Sequence, residues 1–172
     1  MKNKLLKNLR TITSYALALS IVTSSFGFIS VAMATGETLT IGSQSAVNGA
    51  HIVVPITGNN FTSDGNITGL SFKVNYDNTL LSYTGFIPAT TGVTTINNVD
   101  NHVNILWDHS NPLILNNETF VSLNFDVING STTNANLNHS NELIVIGGGT
   151  SGTVTFVDGV ISLNPIIDTT PP

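Results

Sequence analysis

Apolar and polar residues alternate along most of this chain, and clusters of Gly, Asn, Asp and Ser break the alternation into short runs. In "GLSFKVNY" (residues 69–76), Leu70, Phe72, Val74 and Tyr76 mark one face, while Ser71, Lys73 and Asn75 mark the other. This is the period-two signature of a strand with one buried side. The pattern predicts strands over Thr38–Gly42, Ala50–Ile56, Thr68–Tyr76, Leu80–Thr84, Gly92–Asn97, His102–Asp108, Thr119–Val127, one within Asn134–Ile146, and Gly152–Leu163. Turn-rich stretches such as "GNNFTSDGN" and "NGSTTNAN" separate them, and no sustained helical period intervenes. The expected architecture is an all-β antiparallel sandwich.

The inward rows follow from parity. Ile52, Val54 and Ile56 form one; Leu70, Phe72, Val74 and Tyr76 a second; Val103, Ile105 and Trp107 a third; Val121, Leu123, Phe125 and Val127 a fourth. Each large apolar side chain buried stabilises the fold by roughly 1.5–3 kcal/mol. Pro55 lacks an N–H and falls on the outward side, which predicts an edge position for its strand.

The first 34 residues read differently. A basic leader, "MKNKLLKNLR", precedes an apolar stretch that closes on Ala32-Met33-Ala34, the layout of a signal peptide cut after Ala34. Residues 35–164 then form one domain, long enough for its own core. Residues 165–172, "PIIDTTPP", read as the start of a Pro/Thr-rich linker.

Charge narrows the partners. Four of the five basic residues lie in the leader, so Lys73 is the only Lys or Arg after residue 10, against ten acids, a formal charge of −9. Such a chain lacks the basic patch that nucleic acid or an anionic membrane requires. There is no cysteine, which suits a bacterial exported domain large enough to fold without disulfides. Five N-x-S/T sequons (Asn60, Asn66, Asn117, Asn129, Asn138) occur among 22 asparagines, and they read as turn and strand-face polarity.

Catalytic chemistry finds little support. There is no G-x-S-x-G elbow, and Asp64, Asp77, Asp100, Asp108, Glu118, Asp126, Glu142, Asp158 and Asp168 are scattered beside turns. Of the histidines (His51, His102, His109, His139), His102 and His109 lie seven apart, on opposite faces of a regular strand, which argues against zinc. Turn oxygens near Asp64 and Asp77-Asn78 form no EF-hand loop. A sugar-binding face needs exposed flat aromatics, whereas Trp107 and Tyr76 fall on core rows.

Five segments in order resemble the cohesin family, the scaffoldin modules that bind dockerin domains: "GAHIVVPIT", "GLSFKVNYDNTLLSYTGFIPA", "HVNILWDHS", "NNETFVSLNFDV" and "VTFVDGVISLN". The resemblance spans Leu39 to Leu163. Asn78 stands where the family usually has Pro, and Glu118 where many members have Gly. Either "ANLNH" or "ELIVI" could supply the eighth strand. The resemblance implies a nine-stranded jelly-roll sandwich, no catalysis, no cofactor in this chain, and calcium in the dockerin partner instead. It also implies a docking face on the third, fifth, sixth and eighth strands. By position, that face presents Ser71, Lys73 and Asn75, then Thr95 and Asn97, then Asn104, Leu106 and Asp108, with His109 just beyond. The partners implied are dockerin-bearing exported proteins, including glycoside hydrolases, met by a monomeric module outside the cell. Readings from other classes are a carbohydrate-binding sandwich and an Ig-like surface or adhesin domain.

Overall fold

The computed structural model describes residues 36–129, 134–147, 150–151 and 153–164, with the backbone alone at 94–99 and 150–151. The expected signal peptide and the Pro/Thr tail lie outside the described residues. Twelve strands follow one another: β1 (Thr38–Ile41), β2 (Gln44–Val47), β3 (His51–Asn59), β4 (Ile67–Asn75), β5 (Leu81–Pro88), β6 (Val93–Val99), β7 (His102–Asp108), β8 (Glu118–Val127), β9 (Asn134–Ile146), β10 (Thr150–Ser151), β11 (Thr155–Val157) and β12 (Gly159–Asn164). One sheet has the order β11-β1-β3-β8-β5; the other runs β2-β12-β9-β4-β7-β6, with β10 beside β9.

The count exceeds nine because the expected run Gly152–Leu163 divides between the sheets and because β2 and β10 fall outside every expected run. The chain leaves the first sheet after Ile41 and joins the second as β2; β11 and β12 divide in the same way around Asp158. At this crossing a Cβ on Gly159 would sit 2.5 Å from the Gly42 carbonyl oxygen, so glycine alone fits the approach. The two terminal segments run side by side in parallel, β1 with β11 and β2 with β12. The sandwich is therefore antiparallel except along this seam.

Every residue of the four inward rows is buried, from Val54, Ile105 and Leu123 at 0% exposure to Ile52 at 7%. Trp107 is sealed beneath the second sheet, and its indole Nε1 donates to the Thr91 carbonyl at 2.9 Å. Tyr83 is half-buried at the core margin, edge-on to Phe125. Burial pushes its phenol up to about 12, with the nearby Tyr76 adding to the rise. Asparagines do conformational work at the surface. Asn60, Asn66, Asn117 and Asn141 adopt positive φ, a region their short side chains tolerate better than most.

The expected edge position of the Pro55 strand is corrected: β3 lies between β1 and β8. The Pro55 carbonyl accepts from the Gly42 N–H at 2.8 Å, so its nitrogen points to that same side, where β1 has just ended. The missing donor thus meets a local edge inside the sheet.

Candidate functional site

The outer face of β9-β4-β7-β6 is built from β4 outward. Ser71, Lys73 and Asn75 alternate with the buried Leu70, Phe72 and Val74. Antiparallel pairing on both sides of β4 fixes three cross-strand rows. Ser71 lies between Leu106 on β7 and Leu143 on β9; Lys73 lies between Asn104 and Ser140; Asn75 lies between His102 and Asn138. Beyond β7, Thr95 pairs with Leu106 and Asn97 with Asn104. Only the backbone of those two β6 residues is described. With strands about 4.8 Å apart, the rows make a continuous surface.

The rows differ in chemistry. The first carries two exposed leucines, Leu106 at 40% and Leu143 at 58%. A shallow depression of about 280 Å³ lies here over Gly69 and Ser71, flanked by Leu106, Asp108, Leu143 and Val145. The middle row has the lone lysine between two neutral side chains. The third is amide-rich, and Asn75 Nδ2 donates to the Asn138 carbonyl at 3.0 Å and to Ser140 Oγ at 2.8 Å. Past it opens a polar cleft of about 350 Å³, lined by Asn78, Asn101, Asn134, Asn136 and Asn138 among others.

Asp108 shares the outer face with Asn104 and Leu106, at the end opposite Gly69 on β4. His109 does not join it. Its ring stacks on Trp107 at a centroid distance of 6.1 Å, and its Nδ1 accepts from the Asn111 N–H at 3.0 Å. Sequence reading missed Ser140 and Leu143. The reason is a β-bulge in β9: Ser71 opposes Leu143 whereas Lys73 opposes Ser140, so β9 spends one extra residue, and Asn141 within it has φ 54°. Both "ANLNH" and "ELIVI" therefore belong to one strand, on opposite sides of a parity switch.

Asp77, His51 and His139 bond within the chain. Asp77 accepts from the N–H and hydroxyl of Thr79 at 2.8 and 2.6 Å, and these bonds hold its carboxyl below the ordinary value. His51 pairs with Asp126 at 2.7 Å on the other sheet. His139 lies against Phe156, bonded to Asp158 and 3.6 Å from Glu142. Among the described residues no group of three or more His, Cys, Asp or Glu is arranged to hold a metal ion.

The cohesin domain model matches residues 38–163. No curated protein matches the chain. The fold is similar to that of the seventh ScaB type I cohesin from Pseudobacteroides cellulosolvens (TM-score 0.69, 22% identity, 79% of this chain and 97% of that one). It is also similar to the sixth cohesin of Acetivibrio cellulolyticus scaffoldin B, solved in complex with a dockerin (0.67, 22%, 76% and 100%). A non-cellulosomal cohesin from the archaeon Archaeoglobus fulgidus is comparable (0.66, 18%, 78% and 94%). With the model covering nearly the entire sandwich, its strands arranged as in these jelly rolls, the chain belongs to the cohesin family.

Proposed function

We propose that this module is a non-catalytic adhesion domain that captures a dockerin on another exported protein and so helps assemble a cellulosome-type complex. Family membership supports the reading, as do cohesin–dockerin complexes among the similar structures. The observation that carries it is the outer face of β9-β4-β7-β6, where two exposed leucines and one lysine share a continuous surface with short hydrogen-bonding side chains. An apolar centre with a polar rim is the anatomy of a specific interface. The module acts outside the cell as a monomer, its partners include glycoside hydrolases, and calcium resides in the dockerin.

Biolayer interferometry of the immobilised module against a panel of bacterial dockerins tests this. At least one dockerin is expected to bind in calcium and to dissociate in EDTA, while the melting temperature of the module alone stays the same in both. Retention on insoluble cellulose with no dockerin bound would overturn the proposal in favour of a sugar-binding role.

A further inference from the structure

Lys73 is the only Lys or Arg after residue 10, in a stretch holding ten acids. Every ion pair among the described residues nevertheless belongs to His51 or His139. The lysine stands half-buried in mid-face, and both its cross-strand neighbours, Asn104 and Ser140, are neutral. Of the carboxylates near it, Glu142 at the β9 bulge lies 3.6 Å from His139 Nε2. Asp108 pairs with Gly69, four residues from Lys73 and roughly 13 Å along the strand, and Asp77 is committed to Thr79. A cation left open within so acidic a domain is complementary to a negative group brought by something else.

The leucine row adds a second requirement. A Cβ on Gly69 would approach the Val145 Cβ to 3.1 Å; without one, the sheet dips between Asp108 and Val145, next to the row of Leu106 and Leu143. The dip is mainly apolar and open, suited to one large aliphatic or aromatic side chain.

From these two features we infer that the face selects a dockerin whose docking helix sets a carboxylate against Lys73 and a large apolar side chain into the dip over Gly69. The inference rests on the dockerin reading above and names the chemistry of the partner. The dip spans the stretch from Gly69 to Ser71, roughly 7–13 Å along β4 from Lys73 at about 3.3 Å per residue. A helix lying along β4 rises 1.5 Å per residue, so positions four and seven apart on one face are separated by about 6 and 10.5 Å. The acid and the anchor therefore lie one to two turns apart on the same helix face. A helix that brings a basic residue to that place meets Lys73 instead and is rejected.

The test begins with the dockerin that binds the wild-type module most tightly in the panel, measured by isothermal titration calorimetry. Lys73→Glu is expected to weaken it about 30-fold, and Lys73→Met, which keeps the apolar stem, about 5-fold. Changing the facing dockerin acid to Lys is expected to weaken binding to wild type and restore binding to Lys73→Glu within a few-fold. Circular dichroism melts of each variant confirm that the fold persists. If a dockerin binds but neither Lys73→Glu nor added salt alters its affinity, the charge assignment falls and the dockerin reading stands. Tighter binding by dockerins with basic docking helices overturns the inference equally. Should no dockerin bind, both fall together.

Discussion

The two outer faces of this sandwich come from the same alternation and end with different chemistry. On the first sheet, His51 and Asp126 are directly opposed in register and paired at 2.7 Å. Val53, 42% exposed, sits opposite Asn124 with no apolar partner beside it. On the second sheet the leucines flank Ser71 within one cross-strand row, and the lysine faces two neutral residues. The first face pairs its histidine within the chain, although Ile87 is exposed beside Ser122; the second sets an apolar pair next to a lysine that has no ion pair among the described residues. Composition does not distinguish them. Cross-strand adjacency does, because it decides which side chains cancel and which combine.

Removing what supports both faces should have the largest effect. Trp107→Ala empties a fully enclosed site and leaves the Thr91 carbonyl without its donor; a loss of about 3–5 kcal/mol in urea unfolding is expected. Next comes the contrast itself. Leu106→Asp should cost about 30-fold in dockerin affinity with the melt unchanged, while Val53→Asp on the other sheet should leave affinity where it was. Equal losses from both would erase the distinction between the faces. A smaller effect concerns the core margin of the first sheet. The Tyr83 phenol titrates at about 12 in the fold against 10.0 for the free side chain. Its neutral form is thus favoured on folding, and that stability is whole below pH 10 and lost as pH climbs through the folded value. The melting temperature should fall between pH 10 and 12, and Tyr83→Phe should flatten the fall. The smallest effect is expected from His51→Ala: the exposed pair contributes about 0–1 kcal/mol, and dockerin affinity should not change.

Most of the fold was legible because alternation is enforced by burial: every residue on the four expected inward rows is at most 7% exposed. What escaped depends on partners far along the chain. The edge position assigned to Pro55 failed because a missing donor requires only that the neighbour stop there, and β1 does so at Ile41. A change of sheet within one apolar run, as at Asp158, leaves little local trace. The site was half legible. The β4 and β7 members follow from parity alone, but Leu143 needed the bulge at Asn141. A signal was present: the buried residues of β9 switch from odd (Ala135, Leu137) to even (Ile144, Ile146), and such a switch inside one strand marks an inserted residue. His109 was grouped with the face by its nearness in sequence to Asp108, whereas it lies past the strand end on Trp107.

The seam where the terminal segments run together has a mechanical meaning. Thr38 to Val47 lies alongside Thr155 to Asn164 in the same direction, so tension applied at the two ends pulls the segments past each other lengthwise. All the ladder bonds of both short parallel pairs then share the load at once, instead of opening one by one as in a peeled hairpin. A tether built this way resists stretching until the whole seam yields.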